Sequence, residues 1–244
     1  MKKIVVFTEG QSEMIFVRNF LLKKIDNTKL SFECMKLNGG YTQEMPYKYN
    51  PPGPTFYFMI VDVGNDSRVL SAIREREEKL FEQGYEEIIG LRDMYSEEYQ
   101  KRSQGIIDDA MTSKFINSCN DIIRKMSNPT SITILFSIME LESWFLSMYS
   151  IFEKFNSLLS VDYIEKKLGF NLKEIDPQKK FYRPSTEINR IFQLCGRNYK
   201  KSADDIEKIT CNMEVSDFEN AIENNRCDSF KLFYQKMDLI TATD

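Results

Sequence analysis

Apolar residues follow two recurring patterns along this chain, and the first example of each meets the other at a single turn. Ile4, Val5, Val6 and Phe7 form a short unbroken apolar run, the pattern of a strand buried on both faces. Gly10 supplies the backbone freedom for a sharp turn, and Ser12 is placed to cap a helix. Met14, Val17, Leu21 and Ile25, with Phe20 alongside, then recur at helical spacing. Further apolar runs predict strands at 30–37 (LSFECMKL), 55–63 (TFYFMIVDV), 87–91 and 132–138, and helices over 68–83 and about 106–126. A Pro- and Tyr-rich stretch at 41–54 is predicted as a loop. The resulting order, β-α-β-β-α-β-α-β, predicts an α/β fold with helices on the faces of a sheet.

From Trp144 onward the pattern is mostly helical. Helical segments are predicted at 144–155, 161–168, 187–194, 203–209, 216–224 and 229–237, with breaks at 176–180 and at Pro184. No clear linker intervenes, so an α/β domain over 1–150 is expected to carry a helical extension, 151–244, packed on it. Trp144 sits in the apolar run WFLSMYSIF and is expected in the core. The charge run Arg74, Glu75, Arg76, Glu77 and Glu78 is predicted as a solvated helix face.

Composition narrows the chemistry. The 244 residues include no histidine, which removes Ser-His-Asp hydrolysis, Cys-His catalysis and imidazole-held zinc together. Acid–base work then falls to Asp, Glu, Lys, Tyr or a metal-bound water. Five scattered cysteines without a CxxC pair indicate neither a disulfide framework nor a zinc site, and most are expected as small core residues. No apolar stretch is long enough to span a membrane and no signal-peptide pattern is present, so a cytoplasmic protein without a membrane partner is expected. The net charge of −4 argues against a general nucleic-acid-binding coat but permits a local basic groove.

Three predicted strand ends carry acids: Glu9, Asp93, and Glu140 with Glu142. In a parallel sheet the C-terminal tips lie along one edge, where acids distant in sequence can converge. Glu13 follows Glu9 by four residues and points from the first helical turn toward the same space. Oxygen-rich groups of this kind suit magnesium or manganese. Each acid also has a structural role open to it: a turn former or ion-pair partner of Arg92 for Asp93, a helix cap for Glu140 and Glu142. These last two share a face if the strand runs through them, and diverge by roughly 200° if a helix begins there. Asp62 and Asp66, flanking Gly64, have the look of turn residues and are held in reserve.

The opening VVFTEGQSE resembles the first motif of the Toprim fold, which occurs in topoisomerases, primases and OLD-family nucleases. More closely, EGQSEMIF, LRDMYSEEY and SIMELESWFLS, followed by YRPSTEI, NYKKSADDIEKI and RCDSFKLF, resemble a small Toprim-like family often found beside ATPases in bacterial antiphage loci. The resemblance implies a Toprim-like, mostly parallel sheet flanked by helices, with a C-terminal helical extension and metal-dependent cleavage of nucleic acid. It makes Glu9 the motif-one acid, Glu13 its second acid and Asp93 the first place of the Asp-x-Asp motif. The second place is Tyr95, a departure from the broad pattern that either Glu140 or Glu142 would offset. Arg183, Lys200 and Lys201 are implied phosphate contacts, and Tyr182 and Tyr199 are placed to stack on bases.

The leading expectation is a magnesium- or manganese-dependent nuclease acting on DNA or RNA in antiphage defence, alongside an ATPase partner, with room for self-association. Glu9, Glu13, Asp93 and one of Glu140 or Glu142 are the expected metal ligands. Glu9, Asp93 and Lys201 are the expected catalytic groups, Lys201 or Lys200 neutralising the phosphate. The alternative is a catalytically weak Toprim-like module that binds an ATPase, and a third option is nucleotidyl or phosphoryl transfer on the same acids. No Gly-x-x-x-x-Gly-Lys-Ser/Thr loop is present to hydrolyse ATP.

Overall fold

A computed structural model of the chain describes residues 1–65, 68–223 and 226–242. Asp66, Ser67 and the end of the predicted helix at Asn224 lie outside the described residues. In chain order the first half runs β1 (Lys2–Thr8), α1 (Gln11–Lys24), β2 (Leu30–Asn38), β3 (Tyr41–Tyr49), β4 (Phe56–Asp62), α2 (Arg68–Arg74), α3 (Glu77–Glu82) and β5 (Glu87–Asp93). Then come α4 (Glu97–Ser103), α5 (Asp109–Ile123), β6 (Ile132–Ser137), α6 (Glu142–Ser147) and α7 (Ser150–Phe155). The rest is helical: α8 (Val161–Leu168), α9 (Pro177–Lys180), α10 (Pro184–Gln193), α11 (Ala203–Thr210), α12 (Val215–Ile222) and α13 (Asp228–Thr241). This is the expected α/β class with a mostly parallel sheet and a helical C-terminal region.

The chain forms two compact units: residues 1–96 with 108–136, and residues 97–107 with 137–244. The split therefore falls at 136/137 rather than near 150, and α4 belongs with the C-terminal helices.

The first unit is built on a six-stranded sheet in the order β3-β2-β4-β1-β5-β6. β1 lies between β4 and β5 and is parallel to both. Its run Ile4–Phe7 is almost wholly excluded from solvent, as expected for a central parallel strand covered on both faces. α1 buries every residue from Glu13 to Leu21, so its expected apolar face is part of a helix enclosed all round. The stretch predicted as a loop at 41–54 instead contains β3, antiparallel to β2 and mostly exposed at the sheet edge. Pro46, Lys48 and Glu44 on this strand suit an edge that must not pair further. The single helix predicted over 68–83 is broken between Arg74 and Glu77. Glu77 is buried rather than solvated and accepts the Ser127 backbone N–H at 3.1 Å.

The second unit packs helices around Trp144, which is fully buried as expected. Its ring lies 5.4 Å from Phe230 and 5.1 Å from Phe233, and its indole N–H donates to Ser229 Oγ at 2.7 Å. The single helix predicted over 144–155 is divided into α6 and α7. α8 and α11 begin at serine caps, Ser160 and Ser202. All five cysteines are free, with Cys34, Cys119 and Cys227 buried. Among the described residues no helix is long and apolar enough to cross a membrane.

Candidate functional site

In the first unit, the acids of interest stand at adjoining parallel strand tips. The register pairs Thr8 with Asp62 of β4 and with Leu91 of β5. Glu9 comes one residue later, and its backbone N–H donates to the Leu91 carbonyl at 3.1 Å, continuing the ladder beyond the strand. Glu9 Oε2 then accepts the backbone N–H of Asp93 at 2.9 Å, joining the two residues across the sheet edge. Asp93 is only 5% exposed, while Glu9 is half-buried. Arg92 sits on the opposite face by strand alternation, its guanidinium 5.5 Å from the Phe136 ring centre. The ring thus receives the cation that sequence offered to Asp93.

Glu13 does something more local than expected. Its Oε2 accepts the Gly10 backbone N–H at 3.0 Å, fastening the turn to the start of α1. Gly10, not Ser12, is the N-cap residue, because α1 begins at Gln11 and places Ser12 inside its first turn. Asp62 accepts the Gly64 N–H at 2.8 Å, and Gly64 has φ of +80°, so the expected turn role holds. Burial holds the Asp62 carboxyl above its usual range, against the opposing effects of the Gly64 N–H and Lys36. Asp62 also stands at a strand tip beside Thr8. The signal was an apolar run, FYFMIV, ending in an acid, which put it in the same row of tips as Glu9 and Asp93.

The second unit holds the other predicted residues. β6 stops at Ser137, and Met139 takes left-handed backbone with φ of +66°, unusual outside glycine. Beyond that turn Glu140 and Glu142 neither lie along a strand nor diverge: both reach one ammonium. Lys201 Nζ stands 3.0 Å from Glu142 and 3.6 Å from Glu140, and Lys201 itself has φ of +55°. Glu142 is completely buried and also accepts the Tyr199 hydroxyl at 2.5 Å. Burial, then the charge of Glu142, drives the Tyr199 pKa far upward, so the phenol remains a donor. Glu140 accepts the Ser185 N–H at 2.9 Å and its hydroxyl at 3.0 Å, serving the exposed amide end of α10.

Tyr199 is therefore a buried hydrogen-bond donor, not the base-stacking platform anticipated. Tyr182 is half-buried, with its hydroxyl 2.7 Å from Ser103 Oγ. Arg183 and Lys200 are exposed, and Lys201 is one-third exposed. The structure thus brings Glu9 together with Asp93 in one unit, and Glu140, Glu142 and Lys201 together in the other.

Among the described residues no three acidic or cysteine side chains form a group suited to hold a metal ion. A magnesium ion does not require such a cage: it commonly takes one or two carboxylates and completes its shell with water and substrate phosphate. Glu9 and Asp93, hard oxygen donors at one strand edge, fit that mode. No family model, curated protein or solved structure matches this chain.

Proposed function

We propose that the protein is a divalent-metal-dependent nuclease that hydrolyses phosphodiester bonds, with its reactive centre at the tips of β1 and β5. The observation that carries this reading is the hydrogen bond from the Asp93 backbone to the Glu9 carboxylate, which ties the two leading candidates to one point on the sheet edge. Glu9 and Asp93 would hold magnesium or manganese. Such an ion supplies positive charge against the non-bridging oxygens of a phosphodiester. The chain's part is placement: Glu9 is fixed by a rigid central strand, and Asp93 enters from its neighbour with little freedom to turn. Glu13 holds the Gly10 turn and so keeps Glu9 in position. Within the second unit, Lys201, held by Glu142 yet one-third exposed, and the exposed Arg183 and Lys200 are cations of the kind that contact a nucleic-acid backbone.

A second reading is a module with weak catalysis that acts through an ATPase partner. It is favoured by the engagement of Glu140 and Glu142 with Ser185, Tyr199 and Lys201, which leaves them poor replacements for an acid at Tyr95.

Labelled duplex DNA, single-stranded DNA and transfer RNA, incubated with magnesium or manganese, separate the two readings. The nuclease reading expects cutting that stops with a chelator and falls at least about a hundredfold in Glu9→Gln and Asp93→Asn, the scale of losing a catalytic group. Intact substrates throughout, with and without a co-expressed ATPase, would sink it in favour of the module.

A further inference from the structure

The second unit contains a cleft of about 310 Å³ that none of the roles above uses. Its base is aromatic: Phe155 at the end of α7 and Phe192 of α10 have ring centres 4.5 Å apart. Arg197 reaches over the Phe155 ring at 5.1 Å, and Asn198 follows it on the wall. Lys208 and Asp205 of α11 close the other side. Phe155, Arg197, Asn198 and Lys208 all retain exposed surface, so the lining is open to a ligand.

We propose that this cleft takes one nucleotide, its planar ring against the Phe155 side and its phosphate on Arg197 and Lys208. The size is at the lower end of the range for small-molecule sites and suits a single nucleotide unit. Aromatic rings with a guanidinium above them receive a flat, polarisable ring irrespective of base identity. The Asn198 amide offers a donor and an acceptor to a base edge. The acid on the wall is tied into the turn that starts α11. Asp205 already accepts the Lys200 N–H at 2.9 Å, the Ser202 N–H at 3.2 Å and the Ser202 hydroxyl at 2.8 Å. Lys208 is paired with Asp204 at 2.5 Å on the surface, so a phosphate would compete with a solvated carboxylate for its ammonium. The choice of a nucleotide rests on the nucleic-acid reading above; the cleft's shape and charge do not.

Calorimetric titration in a chelator tests the site without requiring catalysis. The probes are adenosine, adenosine 5′-monophosphate and a 5′-phosphorylated pentathymidylate. Saturable binding of a phosphorylated probe is expected, with adenosine weaker. Arg197→Ala and Lys208→Ala should each weaken it at least about tenfold, as befits loss of a charge-assisted contact. Asp204→Asn should strengthen it, since the competing carboxylate is gone. Tighter binding of the pentathymidylate assigns the cleft to a nucleic-acid strand, and a preference for the monophosphate assigns it to a free nucleotide. No saturable binding by the wild type, or binding unchanged in both cation variants at unchanged melting temperature, overturns the proposal. Binding should persist in Glu9→Gln, so failure of the cleavage reading and failure of this site are distinguishable.

Discussion

Two side chains, Tyr199 and Asp62, show burial favouring the neutral form of two different acids. The Tyr199 hydroxyl is a buried donor to a carboxylate that has no access to solvent. Tyr199→Phe keeps the ring packing near Phe192 and removes only that donor. The expected cost is about 1–3 kcal/mol, because one buried carboxylate oxygen loses its hydroxyl donor. A thermal melt should show a fall of roughly 2–12 °C for a chain of this size. An unchanged midpoint would mean that Lys201 alone suffices for Glu142. Asp62 shows the same effect on a carboxyl. Its folded pKa lies above the unfolded value, so the folded state binds the proton more tightly. Its contribution is therefore fully favourable below the ordinary Asp pKa and is lost as pH rises through the folded value. Asp62→Asn retains an oxygen for the Gly64 N–H while removing the charge. The melting temperature of this variant relative to wild type should rise between pH 4 and pH 7. A flat difference would contradict the burial argument.

At the scale of elements, β5 is set by a close approach that leaves no room for a side chain. A Cβ on Gly90 would stand 2.3 Å from Ile134 Cδ1 and 2.9 Å from Val69 Cγ1. Gly90→Ala should cost about 1–3 kcal/mol through overpacking. Ile134→Val removes the nearest carbon, so adding it to Gly90→Ala should recover part of the loss in denaturant unfolding, though alone it destabilises. Additive losses would place the strain elsewhere. The same scale explains what was legible beforehand. The β1–Glu9–α1 unit was readable because burial on both faces writes an unbroken apolar run followed by helical spacing. β3 was not, since an exposed edge strand needs no apolar alternation and its surroundings hold Pro46, Pro51, Pro52, Gly53 and Pro54. The break between α2 and α3 has no Gly or Pro to announce it. It is accompanied by the long-range bond from Ser127 to Glu77. Site contacts divide likewise. Glu9 and Asp93 could be placed at strand tips, but their adjacency depends on β5 lying beside β1. The pairing of Glu140 with Ser185, and of Glu142 with Tyr199, spans 45 and 57 residues and has no local signature.

Across the whole molecule, the distribution of chemistry follows the two units. The sheet unit provides a rigid edge with carboxylates, and the helical unit provides cations, buried ion pairs and an aromatic cleft. The chain passes from one unit to the other after residues 96, 107 and 136, so neither is a continuous stretch of sequence. This has a consequence for biosynthesis. A ribosome that has released residue 137 has delivered every strand of the sheet, and that unit can begin to organise as it emerges. α4 has by then been exposed as well, but its own unit is still untranslated. Ser103 must wait for Tyr182, 79 residues downstream, which is roughly 4–16 s at ordinary elongation rates. In the later part of that interval, once β6 is made, the nascent chain carries an undocked helical segment between two finished strands, the window in which a chaperone or a protease would find it.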